Sequence, residues 1–350
     1  MANILHISRT MDIGGAEKIV YQLATDLKEE FDSVHIASTG GLWEDELKKK
    51  GIQHHKILDV ESKSPKTLAT NFKTLSSIIK KQKIDIIHTH HRMAAFYVRL
   101  LMYLFPKVKH VYTAHNIFDN RLKLYKYSVQ GARVVAVGEG VSKHLKKDLG
   151  VDSLIIYNAI PETNDISKVK EITSYQKTKI GFIGRLSEQK GLVYLIEAIK
   201  LLDKEEIHLF IVGDGDLKDE LLQKVQELGI AEKITFLGYR EDTTAIINSC
   251  DFMVMPSLYE GLPLTLIEYF QNGKTLVGTT IPGIKEVVTQ EKSGLLVKPG
   301  DASGLAKEIL RLSADAELRS KLEEQAKKIY KEKFSYSNFK TKYLEVYREK

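Results

Sequence analysis

The sequence predicts an α/β protein made of two doubly wound parallel-sheet domains, and three observations support this prediction. Its 350 residues are long for one domain and suit two domains of about 150 to 200 residues each. Short runs rich in Ile and Val alternate with segments of helical periodicity, which is typical of repeated strand-helix units. Most of these runs are continuously apolar, as expected of parallel strands that are buried on both faces.

The predicted strands fall into two sets that are separated by a polar stretch. The first set is Ile4–Ser8, Ser33–Ser38, Ile84–His88, His110–Ala114 and Arg133–Val137. The second set is Lys179–Ile183, His208–Val212, Ile234–Leu237, Asp251–Met255 and Thr275–Gly278. Helical periods lie between strands at Gly15–Lys28, Arg92–Phe105, Leu192–Lys200, Asp216–Leu228 and Leu264–Gln271.

The polar stretch covers residues 158–176, contains a proline and has weak periodicity, so it predicts the domain boundary. We expect a first domain of residues 1–160 and a second domain of residues 161–334. A new strand-loop-helix unit begins at Lys179, directly after this stretch.

Cysteine content and the first residues indicate a cytoplasmic protein. Cys250 is the one cysteine, which excludes an intramolecular disulfide and a cysteine-rich zinc site. The chain opens directly into an apolar strand, without the basic and apolar regions of an export signal. We therefore expect a cytoplasmic location, peripheral at the inner face of the cell membrane if the chain binds lipid.

The positive charge is concentrated late in the first half of the chain. Residues 91–150 hold eleven Lys and Arg against three Asp and Glu, a balance of +8, while the whole chain carries +6. This excess could be a solvated surface or a patch that faces anionic lipid or another polyanion. Nucleic acid is not an expected partner, because we find no nucleic-acid-binding module and no aromatic stacking platform.

The predicted helix Arg92–Phe105 is unusually apolar, and Arg92 and Arg99 share one of its faces. It is too short to span a bilayer, which needs about 20 residues. A buried core helix is the first interpretation. Contact with a membrane surface or a lipid acceptor, through Arg92 and Arg99, is the alternative.

Three loops after predicted strands carry the residues of a candidate site. In the first, Gly14 and Gly15 precede a helix that contains Glu17. Two glycines let a ligand approach the backbone, and the amides of a helix N-terminus suit phosphate. The pattern is not the Gly-x-Gly-x-x-Gly of dinucleotide-binding proteins, and by itself it could be an ordinary tight turn.

The second loop begins at Gly184 and contains Arg185 and Lys190. Arg185 offers a planar fork of donors and Lys190 a compact charge, and a diphosphate leaving group needs such neutralisation. A solvated basic loop is the alternative. The position after a strand favours the functional interpretation.

The third loop, residues 256–263, holds Glu260, and Glu268 falls in the helix that follows it. A carboxylate accepts hydrogen bonds from neighbouring hydroxyls, so one glutamate could hold a sugar and the other a ribose. Gly261 and the helix-opening residues Leu264, Thr265 and Leu266 could bind the donor, and the amides around Thr265 and Leu266 could face its phosphate.

Two shorter loops and a histidine pair complete the candidates. Gly213 with Asp214, and Tyr239 with Arg240, lie after strands where a nucleotide could rest. His88 and His90 alternate on a strand, so their side chains point to the same face and could bind one metal ion. No matching carboxylate or cysteine cluster is evident in the sequence, so we expect no metal and no other cofactor.

Taken together, these segments resemble the glycosyltransferases of family 4, which are retaining enzymes with the GT-B fold. Nearly the whole chain takes part in the resemblance. The matching segments are Gly14–Glu17, Thr113–Asn116, Asn158–Ala159, Gly184–Gly191, Gly213–Gly215, Phe236–Gly238, Glu260 with Glu268, Gly283–Val288 and Ser293–Val297.

The resemblance implies two Rossmann-like domains with a cleft between them, and roles for particular residues. The second domain would bind a nucleotide-sugar, with Glu260 on the sugar hydroxyls, Glu268 on the ribose, and Arg185 and Lys190 on the diphosphate. Gly14 and Gly15 would pass close to phosphate and acceptor, and His115 would lie by the reacting face of the sugar. The backbone near Tyr239 and Arg240 would hold the base. The first domain would bind the acceptor, with Glu17 and His90 as acceptor residues, and residues 335–350 would return to it.

The resulting hypothesis is a metal-independent retaining transfer from a nucleotide-sugar, with UDP as the default nucleotide. The sequence offers no well-placed nucleophile, so we favour attack of the acceptor on the front face of the sugar. The expected acceptor is a lipid-linked saccharide in the synthesis of a cell-surface polysaccharide. The alternatives are a nucleotide-sugar epimerase or hydrolase of the same fold, and a non-catalytic module that binds nucleotide-sugar or membrane. Tyr269 departs from the family pattern, in which a small residue usually follows the second glutamate, and could reshape the ribose side.

Overall fold

The structure is a computed structural model that describes residues 2–12, 14–62 and 64–349. Within this part of the chain the residues form two compact units. The N-terminal unit runs to Asn158 and includes the chain from Ser337 onward, and the C-terminal unit is Ala159–Tyr336.

The N-terminal unit contains a sheet in which every described pair of neighbouring strands is parallel. Its strands are β1 (Asn3–Ile7), β2 (Ser33–Ser38), β3 (Gln53–Lys56), β4 (Ile86–Thr89), β5 (Lys109–Ala114), β6 (Arg133–Ala136) and β7 (Leu154–Ile155). Their order across the sheet is β3-β2-β1-β4-β5-β6-β7. The chain therefore reverses its direction of winding between β1 and β4, and ligands of such sheets bind beyond the strand ends at this point.

Helices cover both faces of this sheet, as parallel strands require. They are α1 (Gly15–Asp26), α2 (Glu44–Lys49), α3 (Pro65–Lys81), α4 (Arg92–Leu101), α5 (Leu122–Val129) and α6 (Glu139–His144), with a 3₁₀ turn at Lys28–Glu30 and a π-helical turn at Leu145–Leu149. One core cluster of this unit consists mainly of side chains from β1, β4, α3 and α4, among them Leu5, Ile87 and Val98. None of the described helices is long and apolar enough to cross a membrane.

The C-terminal unit repeats the same topology. Its strands are β8 (Thr178–Ile183), β9 (Ile207–Val212), β10 (Ile234–Gly238), β11 (Phe252–Met255), β12 (Leu276–Thr279) and β13 (Leu295–Val297), in the order β10-β9-β8-β11-β12-β13. The winding reverses between β8 and β11. Its helices are α7 (Lys170–Thr173), α8 (Leu192–Leu201), α9 (Lys218–Glu227), α10 (Thr243–Ser249), α11 (Leu264–Gln271), α12 (Pro282–Lys285), α13 (Ala302–Ala314) and α14 (Ala316–Lys333), with 3₁₀ turns at Glu188–Lys190 and Ala231–Lys233.

The last helix, α15 (Tyr336–Arg348), packs on the N-terminal unit. Its Tyr343 and Tyr347 are buried, and the Tyr347 hydroxyl lies 2.8 Å from Nδ1 of His88. Lys109 Nζ donates to the Val346 carbonyl oxygen at 2.6 Å, near the end of this helix. Buried hydroxyls and a lysine, rather than apolar contacts alone, therefore fix the returning helix.

One predicted helix is shorter in the structure. The helix predicted over Arg92–Phe105 ends at Leu101, and residues 102–104 form a turn. Tyr103 and Leu104, which we expected inside this helix, are 65% and 59% exposed in the turn that follows. The buried-helix interpretation is correct only for one face, which contains Ala94, Tyr97 and Val98 among others.

Candidate active site

The loops after β8 and β11 lie side by side at the point where the winding of the C-terminal sheet reverses. Residues 184–191 follow β8 and carry Lys190, and residues 256–263 follow β11 and carry Glu260. The amide of Leu258 donates to the Gln189 carbonyl oxygen at 2.8 Å, which ties the two loops together. This is the position at which open parallel sheets bind their ligands.

Lys190 and Glu260 form an ion pair in the wall of this site. Nζ of Lys190 lies 2.5 Å from Oε1 of Glu260, and the two side chains are only 16% and 8% exposed. Ser257 donates to the same carboxylate oxygen at 3.1 Å. Gln189 donates to the other oxygen at 3.1 Å and also to the Tyr259 carbonyl oxygen at 2.9 Å. The carboxylate is therefore held in one orientation by three donors.

Glycines allow the surrounding loops to approach one another this closely. A Cβ on Gly213, whose φ is +132°, would lie 1.9 Å from the Gly184 carbonyl oxygen. A Cβ on Gly191, at φ +62°, would lie 2.2 Å from the Pro256 carbonyl oxygen. No side chain fits at such distances, so these two glycines are required by the packing of the loops after β8, β9 and β11.

The other predicted donor residues lie in the same unit, each in different surroundings. Arg185 is exposed in the loop after β8, and Glu268 is buried on α11. Asp214 accepts from the Gly215 amide at 2.8 Å, a bond that lowers the pKa of its carboxyl group. Arg240 is engaged by both oxygens of Asp242 at 2.8 and 2.6 Å, next to the half-exposed Tyr239.

The first turn of α11 follows Gly261 and begins at Leu264. Of the amides that we expected to face phosphate, that of Leu266 already donates to the Pro263 carbonyl oxygen at 3.2 Å. Leu264 and Thr265 precede it in the same turn. The prediction that this turn faces phosphate therefore rests first on the amides of these two residues.

Tyr269, which departs from the family pattern, is fully buried beneath the end of β8. Its hydroxyl accepts from the Ile183 amide at 3.2 Å, just before Gly184 and Arg185. The pairing of β8 with β11 extends to Gly181, so the Tyr269 hydroxyl accepts from a β8 amide that lies beyond this pairing. Tyr269 thus supports the loop that carries Arg185.

In the N-terminal unit, Gly14 caps α1 and Glu17 lies in its first turn. A Cβ on Gly14 would lie 2.2 Å from Oε2 of Glu17, and Thr10 donates to Oε1 of Glu17 at 3.1 Å. The turn at Gly14 and Gly15 is therefore lined by a carboxylate. This favours a hydroxyl-bearing ligand over phosphate, because like charges repel. Ile13, which directly precedes Gly14, lies outside the described residues.

Histidines fill the corresponding winding reversal of the N-terminal sheet. His6 on β1 pairs in register with His88 on β4, and His90 follows β4. Their nitrogens lie within 4.8 Å of one another, so these three residues could hold a metal ion. Both ring nitrogens of His88, however, lie 2.8 Å from hydroxyls, those of Tyr347 and Thr113. A metal would have to displace one of them.

Burial keeps these histidines neutral. Loss of hydration lowers the pKa of His6 to about 3 and that of His115 to about 4. The same cause, reinforced by neighbouring histidines, holds the pKa values of His88 and His90 well below their usual range. The cluster therefore carries no positive charge near neutral pH.

The two arginines predicted to face a membrane are partly occupied within the unit. Arg92 donates to Oδ1 of Asn120 at 2.7 Å and lies 4.4 Å from the centre of the Phe118 ring. Arg99 lies over the rings of Tyr103 and Tyr127. The exposed apolar groups beside them are Tyr103 and Leu104.

Sequence reasoning missed several residues that shape these sites. Ser257 and Gln189 orient Glu260, and both are polar residues in the same loops as predicted site residues, which is the signal that could have identified them. His6 was missed because a single histidine in an apolar strand carries no motif. Only the parallel register, which sets it opposite His88, reveals its place in the cluster.

Comparison with known families assigns both units. A family model described as Glycosyltransferase Family 4 matches residues 13–163, and one described as Glycosyl transferases group 1 matches residues 163–329. The chain is 25% identical to N-acetyl-alpha-D-glucosaminyl L-malate synthase of Bacillus anthracis, over 96% of this chain and 95% of that protein.

The names of two further relatives contain a saccharide that is linked to a lipid. One is UDP-Gal:alpha-D-GlcNAc-diphosphoundecaprenol alpha-1,3-galactosyltransferase of Escherichia coli, 27% identical over 69% of this chain and 70% of the relative. The other is an alpha-1,4-N-acetyl-D-galactosaminyltransferase of Campylobacter jejuni, and its name includes a saccharide attached to PP-undecaprenol. It is 35% identical over 51% of this chain and 50% of the relative.

Among solved structures, HepE of Anabaena in complex with UDP and glucose superposes with a TM-score of 0.86 at 20% identity, over the whole of both chains. This likeness confirms the predicted fold class. The two family models together run through residues 13–329. The chain is therefore a glycosyltransferase and belongs to the family 4 glycosyltransferases of the GT-B fold.

Proposed function

We propose that this glycosyltransferase takes its sugar from a nucleotide-sugar, with UDP as the nucleotide, and retains the configuration of the anomeric carbon. The observation that carries the proposal is the ion pair of Lys190 and Glu260 at the winding reversal of the C-terminal sheet. An ammonium group and a carboxylate held together there offer neighbouring contacts for a diphosphate and for sugar hydroxyls. The name of the Escherichia coli relative gives UDP-Gal, which supports the choice of nucleotide.

In the proposed reaction, the bond between the anomeric carbon and a β-phosphate oxygen breaks, and a bond to the acceptor oxygen forms. Negative charge grows on the departing diphosphate as the bond breaks. Arg185 and Lys190 would stabilise this charge more strongly in the transition state than in the bound donor, which is the requirement for catalysis. These two cations supply the charge for which other enzymes use a metal, so we propose a reaction without a metal cofactor.

Retention of configuration needs either a protein nucleophile or attack on the face that the leaving group vacates. Glu260 is the one carboxylate in the ion pair, and its two oxygens already accept three hydrogen bonds. Such a carboxylate suits hydroxyl binding better than attack on carbon. We therefore propose front-face attack, with the acceptor proton passing to a phosphate oxygen of the leaving diphosphate.

Binding of the nucleotide gives the first test of this function. We expect UDP-sugars to raise the melting temperature of the full chain more than GDP-sugars do, because a ligand that binds only the folded state stabilises it. Differential scanning fluorimetry with a panel of both classes measures this shift. No shift with any nucleotide-sugar would contradict the proposal. Sugar release without an acceptor would instead favour the hydrolase alternative.

For the acceptor, we propose a lipid-linked saccharide, which the N-terminal unit binds near the membrane surface. The support is the exposed pair Tyr103 and Leu104 beside the basic residue Lys107, together with the acceptors named for two relatives. The malate named for the Bacillus anthracis relative makes a small soluble acceptor the competing case.

Vesicle binding separates these two cases. We expect the chain to co-sediment with vesicles of anionic lipid, and the variant Leu104→Asp to lose most of this binding, because a carboxylate resists both insertion and the negative surface. Leu201 is exposed to a similar degree in the C-terminal unit, 61% against 59%, so Leu201→Asp is a matched control that should bind normally. Equal binding by both variants would contradict the membrane proposal.

A further inference from the structure

Three histidines of the N-terminal unit form a continuous hydrogen-bonded row. Nδ1 of His6 lies 3.2 Å from Nε2 of His90, and Nδ1 of His90 lies 3.2 Å from Nε2 of His115. The rings of His6 and His90 are stacked, as are those of His90 and His115. The row therefore runs from a fully buried residue on β1 to the half-buried His115 after β5.

Neutral histidines transmit a choice of tautomer along such a row. Each neutral ring has one N–H donor and one bare nitrogen acceptor, so fixing the first ring fixes the others. Nε2 of His6 is buried and has no hydrogen-bond partner among the described residues. Because buried N–H groups without an acceptor are rare, the proton of His6 belongs on Nδ1, from which it can donate to His90.

The rest of the row follows from that assignment. With Nε2 of His90 accepting, the His90 proton lies on Nδ1 and is donated to Nε2 of His115. His115 then carries its own proton on Nδ1. Its remaining hydrogen-bonding group is a donor rather than an acceptor.

His88 belongs to a separate branch. Its ring lies close to that of His90, with centroids 3.9 Å apart and planes inclined by 39°, but its two nitrogens contact the hydroxyls of Thr113 and Tyr347. Thr113 in turn lies 3.1 Å from the Tyr343 hydroxyl. This branch connects the sheet to α15 and leaves the other three histidines to one another.

We propose that His6 and His90 are positioning residues that hold His115 as a neutral Nδ1–H donor, aimed at a hydroxyl of the bound sugar or acceptor. The inference rests on the proposed function for the identity of that hydroxyl only. The assignment of tautomers along the row stands on the geometry of the N-terminal unit. A divalent metal on His6, His88 and His90 is the competing use of the same nitrogens, and the test includes it.

The tautomers can be read directly by NMR of the full chain labelled with ¹⁵N-histidine, in two-bond ¹H–¹⁵N spectra. We expect His115 with the proton on Nδ1, and its signals should move in the variant His90→Gln, whose amide reproduces the position of Nε2 but not of Nδ1. His90→Asn, which keeps a donor next to His115, should leave the tautomer as in the wild type. If the proton of His115 lies on Nε2 in the wild type, the proposal is overturned. So would stoichiometric zinc in the purified protein, bound with displacement of these hydrogen bonds.

Kinetics then test the consequence for catalysis. We expect His90→Gln to lower kcat by about tenfold with little change in KM for the donor, and His90→Asn to recover most of the rate. His55→Ala is the control, because it removes the 3.1 Å contact between Nδ1 of His35 and Nε2 of His55 in the same unit without touching the row. An equal loss of rate in the Asn and Gln variants of His90 would overturn the positioning role. Absence of turnover in the wild type would count against the proposed function, while the NMR result would still decide the tautomer.

Discussion

Replacement of Lys190 by Met is expected to lower kcat/KM for sugar transfer by about 10²- to 10³-fold, the usual loss when one group that stabilises a departing anion is removed. The lysine ammonium lies in the wall of the site, 16% exposed, where its charge is poorly screened by water. Initial rates of transfer from the UDP-sugar that gives the largest thermal shift measure the effect.

The same substitution leaves the Glu260 carboxylate nearly buried without its cation, which costs folding free energy. The double variant Lys190→Met with Glu260→Gln removes both charges and should recover stability but not activity. Lys224 and Glu197 form a comparable ion pair at 2.7 Å in the same unit, so Lys224→Met is the matched control. Recovery of activity in the double variant, or equal loss in the control, would contradict a role for Lys190 in catalysis.

Acid is expected to unfold the N-terminal unit well before the C-terminal unit. Ten of the eleven histidines, all except His208, lie in the N-terminal unit. Burial lowers the pKa of His6 and His110 to about 3 and that of His115 to about 4. The unfolded chain, with histidine pKa values near 6.5, therefore binds more protons. The free energy of unfolding therefore falls as the pH drops from 6.5 toward the pKa values of the folded state. The loss is about 1.4 kcal/mol per pH unit for each such histidine.

Urea unfolding at pH values from about 7 to about 5 measures this loss, within the window in which the unfolded histidines titrate. Trp43, the single tryptophan, lies in the N-terminal unit in contact with Tyr21, so its fluorescence reports that unit. Circular dichroism follows both units. A fluorescence midpoint that does not change over this range would show that the histidines are not neutral and buried as described.

The sequence was sufficient for most of the fold because parallel strands buried on both faces appear as continuous apolar runs. The three strands that it did not predict lack such runs for physical reasons. β3 consists of Gln53, His54, His55 and Lys56 at the edge of its sheet, where no apolar face is needed. β7 and β13 contain two and three residues, too few to establish a period.

The residues of the candidate sites likewise fall into some that the sequence could predict and others that it could not. Lys190 and Glu260 could be predicted because each follows a strand that belongs to a recognisable pattern, and the structure brings the two into contact. The row of His6, His90 and His115 depends on the register between β1 and β4 and on the loop after β5, and no local pattern encodes these. Contacts across a sheet are set by tertiary packing, so residues joined only in this way stay hidden from a single sequence.

The central claim is that Arg185, Lys190 and Glu260 bind the diphosphate and sugar of a nucleotide-sugar at the end of β8 and β11. A crystal structure of the chain with a UDP-sugar, or with an unreactive analogue, tests it directly. The claim predicts diphosphate oxygens within about 3 Å of Lys190 Nζ and the Arg185 guanidinium, and sugar hydroxyls on the Glu260 carboxylate. A nucleotide bound away from these three side chains would contradict it.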